Sequence, residues 1–193
     1  MGPTSPCLVD TSVLINLLAT ENPVDILRIS GVDLLVPSRV AREVIRCPRT
    51  GGSDVPLQRL LSTEFASQVD VSCNPEPLKC FIALAAGSYG RSLDDGESAA
   101  LALAAYLDYP LLIDEQTGRS VCGEHFSRLR LSRSVELFRE VWNSNEMDRQ
   151  DAKQALFDAL RFGHMHVPKN SKSMEWVRQV LSPKDLACCP SIP

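Results

Sequence analysis

Short apolar or alternating runs, each followed by a stretch with helical periodicity, constrain this chain more than any other feature. Residues 6–9, 32–37, 68–72 and 111–115 read as strands, and a further short strand opens the stretch 128–144. Between them, residues 11–20, 22–30, 38–46, 55–63, 75–87 and 94–110 carry helical spacing, with 47–54 a loop and "QTGRSVCGE" (116–124) a short helix or turn. Strands that alternate with helices over the first 140 residues predict an α/β fold: a parallel sheet with helices on both faces. Asn22 before Pro23 and Ser38 before "RVAREVIR" are the expected helix starts. In the 38–46 helix, Val40, Val44 and Ile45 are expected to share the buried face.

Beyond residue 145 the strands stop. "MDRQDAKQALFDALRFG" (147–163) and "SKSMEWVRQVL" (171–181) are amphipathic helices, and "ACCPSIP" reads as a loose tail. The expected organisation is a domain over 1–145 and a C-terminal helical extension over 146–193 packed on it.

The apolar runs end on acids. "LVDTSVLINLL" passes from strand to Asp10 and then to a helix start at Thr11 and Ser12, and "LLIDE" ends on Asp114 and Glu115. Glu97 stands in the first turn of the "DDGESAAL" helix, and Glu43 lies within 38–46. In a parallel sheet the C-terminal strand ends share one edge, and the helices that follow start there. Topology alone therefore lets Asp10, Glu97 and Asp114 converge, and Glu43 joins them if its helix crosses that edge. Carboxylates packed together stay ionised only around cations. An all-oxygen set without His or Cys selects Mg²⁺ or Mn²⁺ rather than zinc. Such a site activates water and neutralises a phosphoryl group.

Each acid also has a plainer role. Asp10 fits an N-cap. Asp94 and Glu97 fit a capping box. Glu43 can pair with Arg39 or Arg46 on a helix surface, and Asp114 and Glu115 can be loop acids. Gly96 in a first turn costs roughly 1 kcal/mol relative to alanine, which makes sense where the backbone approaches something closely. His164 and His166 would share a face if "HMH" were a strand, but no third metal ligand lies near them in sequence. Trp142 and Trp176 read as core anchors, and His125 as a surface or half-buried residue.

Read in order, "LVDTSVLINLL", "VPSRVAREVI", "LDDGESAALALA" and "LLIDEQTGR" resemble the PIN-domain nucleases, in particular the VapC-like toxin ribonucleases of prokaryotic toxin–antitoxin pairs. The third stretch is similar to the Leu-Asp-x-Gly-Glu variant of one branch. The resemblance spans roughly residues 6–140 and implies a three-layer α/β/α domain. It also implies cleavage of RNA to a 5′-phosphate and a 3′-hydroxyl with Mg²⁺ or Mn²⁺. Asp10, Glu43, Glu97 and Asp114 would be the metal-binding catalytic acids. Thr11 or Ser12 would hold a water or a phosphate oxygen, and Asn16 would orient Asp10. Asp94, Asp95 and Glu115 are extra acids beside the set, and the third acid is a glutamate where most of the family has aspartate. A cognate antitoxin protein and a homodimer are the implied partners.

The net charge of −4 argues against tight non-specific binding to nucleic acid, although a metal would mask several of the acids. Arg39, Arg42, Arg46, Arg49, Arg119, Arg128, Arg130 and Arg133 are the candidate contacts for RNA, with Arg119 placed to reach a phosphate. The seven cysteines contain no CxxC pair, so most are expected to act as small core residues in a reducing cytoplasm. No segment has the apolar length of a membrane span, and "MGPTSPC" lacks the features of a signal peptide. An aspartyl phosphatase would want a second acid two residues after Asp10, where this chain has Ser12. A non-enzymatic alternative keeps the fold and uses the acidic cleft, or the helices after 145, to bind protein or RNA.

Overall fold

A computed structural model describes residues 5–52 and 55–192. The N-terminal tetrapeptide, the end of the 47–54 loop and Pro193 lie outside those residues. The sheet has five strands: β1 (Ser5–Val9), β2 (Val32–Pro37), β3 (Ala66–Val69), β4 (Leu111–Leu112) and β5 (Leu131–Ser132). All pairings are parallel, in the spatial order β3-β2-β1-β4-β5. Leu8 stands between Leu35 and Leu111 across the sheet centre. The α/β/α architecture with an all-parallel sheet is therefore as the alternation predicts.

Strand alternation sorts side chains to the two faces. Cys7 and Val9, Leu34 and Val36, and Leu112 point into one core, whereas Leu8, Leu35, Leu111 and Ile113 meet the other. The second face is covered by α5 (Pro75–Ala85), α6 (Asp95–Leu107) and α7 (Gln116–His125). The first face is covered by α1 (Thr11–Leu18), α2 (Pro23–Ser30), α4 (Val55–Leu61) and α8 (Ser134–Ser144). It is also covered by α9 (Arg149–Arg161) and α10 (Lys172–Val180): Leu156, Leu160, Met165, Met174 and Val177 belong to the same continuous core as Val9. Burial of such a side chain contributes about 1.5–3 kcal/mol, so the C-terminal helices share in holding the sheet.

Several local expectations change. The strand expected over 68–72 spans Ala66–Val69 instead, because Asp70 accepts from the backbone and hydroxyl of Ser72 and bends the chain into a 3₁₀ turn. The helix α3 (Ser38–Glu43) stops short of 46, at Val44 with ψ 73°, which leaves Ile45 71% exposed instead of buried. Pro37, not Ser38, caps it; the Ser38 hydroxyl donates to the Val69 carbonyl. Asn22 sits at the cap of α2 without a side-chain bond. The tail is not loose. Ser182 and Asp185 form a capping box on α11 (Pro183–Leu186), Cys189 is buried, and Ile192 packs on the core. His164 and His166 are exposed on an irregular segment rather than a strand, flanking buried Met165. Trp176 packs on the core, whereas half-buried Trp142 lies under the Arg149 guanidinium. Cys7, Cys47, Cys122 and Cys189 are buried, and the seven thiols are free. Among the described residues, no helix is long and apolar enough to cross a membrane.

Candidate functional site

β1 and β4 are neighbours in the sheet but not in sequence, and the chain leaves them towards opposite sides. The crevice at their C-terminal ends is the topological switch point, where ligands bind in open parallel sheets. Asp10 follows β1 there, and its backbone N–H donates to the Leu112 carbonyl of β4 (3.1 Å).

Asp10 is 1% exposed. Its Oδ1 accepts from the Val13 N–H (2.9 Å) and the Ser12 hydroxyl (2.8 Å), so it caps α1, yet its Oδ2 is buried without a partner. Burial is the main cause that pushes its carboxyl up to about 7; the two hydrogen bonds oppose this, and the charges of Asp114 and Glu97 add to it.

Glu97 is 8% exposed, and its N–H is capped by Asp94 Oδ1 (2.7 Å). Its Oε1 is likewise buried without a partner. Burial, followed by the nearby charges of Asp94 and Glu115, pushes it up to about 7. Two glycines make room for this arrangement. A Cβ on Gly96 would collide with Glu43 Oε2 and Thr11 Oγ1, and one on Gly118 would stand 2.9 Å from Glu97 Oε1. The glycine in the first turn of α6 is thus explained by the side chains pressed against it.

Glu43, at the exposed end of α3, accepts a short hydrogen bond from the Thr11 hydroxyl. Among the described residues no ion pair joins it to Arg39 or Arg46; Arg39 pairs with Asp95 (3.3 Å). A cleft of about 290 Å³ opens between these groups. Asp10, Glu43, Asp94, Glu97 and Glu115 line it, with Thr11, Ser12, Ile15 and Thr117.

Asp114 does not line the cleft. It is 2% exposed, and both of its oxygens are engaged. Oδ1 accepts from the Ser134 N–H (2.9 Å), and Oδ2 from the Ser134 hydroxyl (2.6 Å) and Asn16 Nδ2 (2.9 Å). Burial raises its carboxyl; the bonds from Ser134 and the charges of Arg133 and His166 work against that rise. Asn16 therefore holds Asp114 and not Asp10: it lies nearly two turns along α1, at the level of the end of β4. Thr11 and Ser12 spend their hydroxyl protons on Glu43 and Asp10.

The arginines divide into two kinds. Arg119 Nη1 donates to the carbonyls of Ile113 (3.0 Å) and Ser132 (3.2 Å), which ties it to strand ends rather than to a phosphate. Arg133 Nη1 donates to the Asp114 carbonyl (2.7 Å), and Arg49 bridges Asp158 and Glu21. Arg42, Arg46, Arg128 and Arg130 are exposed. A larger cavity, of about 460 Å³, lies at the C-terminal ends of α6 and α7 beside Asp108, His125 and Arg128, and among the described residues no buried polar atom without a partner lines it.

Among the described residues no three His, Cys, Asp or Glu side chains form a ready-made metal cage. The donor set nevertheless fits a hard divalent cation. Two buried carboxylates each leave an oxygen unpartnered, both are pushed towards neutrality by burial and by the like charges around them, and the side chains lining the cleft offer only oxygen ligands. Sequence reasoning missed Ser134, Gly118 and Gly163. A serine before a helix signals a cap, but nothing in its surroundings announces a distant aspartate, and a glycine needed for space leaves no periodic trace.

A family model described as a PIN domain matches residues 6–179, and so runs past the last strand into α10. No curated protein matches the chain.

Proposed function

The chain belongs to the PIN-domain family, and on that premise we propose that it is a Mg²⁺- or Mn²⁺-dependent endoribonuclease with Asp10, Glu43, Glu97 and Asp114 as its metal-binding catalytic acids; Asp114, which stands outside the cleft, would join the other three through the acceptor site of its Oδ1 that Ser134 leaves free. The observation that supports this best is the pair of unpartnered buried oxygens, Asp10 Oδ2 and Glu97 Oε1, in one acidic cleft at the switch point of the sheet. A bound divalent ion would supply positive charge for the scissile phosphate and acidify a water for attack on it.

The residues of the chain do the rest. Ser12 and Val13 hold one oxygen of Asp10 and leave the other for a ligand. Asp94 fixes the first turn of α6, from which Glu97 projects, and Thr11 tethers Glu43 at the rim. Burial first, and then the charges of Asp94 and Glu115, raise the proton affinity of Glu97, and a cation in the cleft would relieve both. The test is cleavage of unstructured and structured RNA by wild type and Asp10→Asn, with Mn²⁺ and with chelator. Cutting that needs both the metal and Asp10 is the expected result; equal cutting by the variant overturns the reading.

The toxin assignment is narrower. The likeness of "LDDGESAALALA" and "LLIDEQTGR" to the VapC-like branch supports a toxin held in check by a small antitoxin protein over the acidic edge, in a chain that dimerises and acts in the cytoplasm. Expression of the wild-type chain is expected to arrest growth, and expression of Asp10→Asn is not. Growth arrest by neither protein, with both stably expressed, removes the toxin role and leaves the ribonuclease reading standing.

A further inference from the structure

The Asp114 end of the site depends on a part of the chain that contributes no acid to it. Asn16 is 1% exposed, and its Nδ2 donates both to Asp114 Oδ2 and to the Ser134 hydroxyl oxygen (3.0 Å). The Ser134 hydroxyl proton is itself given to Asp114. Both neighbours of the Asn16 amide therefore accept, and a flipped amide would set its oxygen against a carboxylate. That fixes which way the amide must face. The Oδ1 on the other side is buried and has no partner. What stands against it is Gly163: a Cβ there would lie 2.5 Å from Asn16 Oδ1, 2.9 Å from Asn16 Cα and 2.7 Å from the Ala159 carbonyl.

Gly163 is needed for space. It sits in the turn that closes α9, where Phe162 and Gly163 N–H groups both point at the Asp158 carbonyl (2.8 and 3.4 Å) and Met165 N–H at that of Ala159 (3.0 Å). The turn is anchored from both sides. Met165 is fully buried in the core, and Asp158 is held by Arg49 and Gln154.

We propose that Asn16, Ser134 and the Gly163 turn together form a positioning device for Asp114, in which the end of α9 clamps Asn16 so that Asn16 and Ser134 hold the carboxylate in one orientation. The functional consequence rests on the metal-dependent reading above. These are positioning residues, and the C-terminal helices become a working part of the acidic site.

The full chain carries the test in four forms: wild type, Gly163→Ala, Ser134→Ala and Ser134→Thr. Two readouts are taken. The first is the Asn16 side-chain amide signal of the metal-free protein by NMR, with its protection from exchange. The second is Mn²⁺ affinity by calorimetry, with kcat and KM on RNA. Gly163→Ala and Ser134→Ala are expected to shift the amide signal and expose it to exchange. They are also expected to weaken Mn²⁺ binding on the order of 10- to 100-fold, and to lower kcat more than they raise KM. Ser134→Thr, which keeps the hydroxyl, is expected to restore both readouts. If Gly163→Ala does not fold, Ser134→Ala decides, since it only removes an atom. An unchanged amide signal and unchanged Mn²⁺ affinity in folded variants overturn the proposal. If wild type takes up no Mn²⁺, the metal reading fails, and the amide spectra alone decide the device.

Discussion

Asp10 and Asp114 are the same residue type, at the same sheet edge and at almost the same depth, yet the fold treats them oppositely. Asp114 receives three hydrogen bonds spread over both oxygens. Asp10 receives two on a single oxygen and leaves the other empty-handed. An unpartnered buried polar atom costs roughly 1–3 kcal/mol, so the Asp10 side of the edge gives up stability that the Asp114 side keeps. The difference separates two jobs that a list of acids cannot separate. One carboxylate is set in place by protein donors, and the other is left open for something that is not protein. The most forceful way to break the comparison is Asp10→Asn. Mn²⁺ uptake and RNA cleavage are expected to fall by about 100-fold or more, while metal-free stability at pH 8 holds or rises, because a buried charge without compensation is removed. Calorimetry with Mn²⁺ and urea unfolding in chelator check the two halves.

Asp114→Asn should give the opposite profile. An amide in that place presents an NH₂ to at least one of the donors from Ser134 and Asn16, and leaves buried groups unpaired. Stability is expected to drop by about 1–3 kcal/mol in urea unfolding, even with chelator present, and Mn²⁺ binding weakens as a consequence. If Asp114→Asn proves as stable as wild type while Asp10→Asn unfolds readily, the division of labour drawn here is reversed.

The pH dependence sharpens the same contrast. Asp10 and Glu97 are raised in the folded protein to about 7 from ordinary carboxylate values. Between pH 4 and pH 7 the folded state therefore binds more protons than the unfolded state, and metal-free stability falls as pH rises through that window. Below pH 4 both states are protonated, and above pH 7 both are ionised, so the slope flattens at either end. On the metal-dependent reading, Mn²⁺ would take the place of the missing proton. It is expected to raise the melting temperature by several degrees at pH 8 and by little at pH 5. A melting temperature of the metal-free chain that climbs steadily from pH 4 to 7 contradicts the environment assigned to these two acids.

Much of this was legible in the chain itself, and the reason is local. A strand that ends on an acid before a helix start places that acid at the sheet edge whatever else happens, so Asp10 and Asp114 stand there by topology; Glu97 comes to the cleft from the first turn of α6, and Asp114 stays outside it. Gly96 was legible too, because its conformational cost demanded a close neighbour. What escaped was long-range partner choice. Asn16 reads as a neighbour of Asp10 in sequence, but α1 carries it down to the end of β4, 98 residues away along the chain. Gly163 has no signal, since the space it frees is defined by a helix packed from the far end of the sequence. The tail misled for the same reason: "ACCPSIP" looks loose until Cys189 and Ile192 meet a core built from other segments.

The smallest expected effects come from the arginines, which repeat the contrast at the level of positive charge. Arg119 is built in, with one nitrogen between two strand-end carbonyls, whereas Arg46 is exposed in the bend after α3, three residues beyond Glu43 of the cleft. Arg119→Gln removes donors from the ends of β4 and β5. It should lower the melting temperature by a few degrees, by loss of about 1 kcal/mol, and leave KM for RNA unchanged. Arg46→Gln should do the reverse: no change in melting temperature, and a rise in KM of roughly threefold at low salt that disappears at high salt. Steady-state kinetics at two ionic strengths and a thermal melt of each variant settle the pair. If Arg119→Gln raises KM with the melt unchanged, Arg119 meets the substrate after all, and the open and the built-in groups are not the separate sets that the geometry makes them.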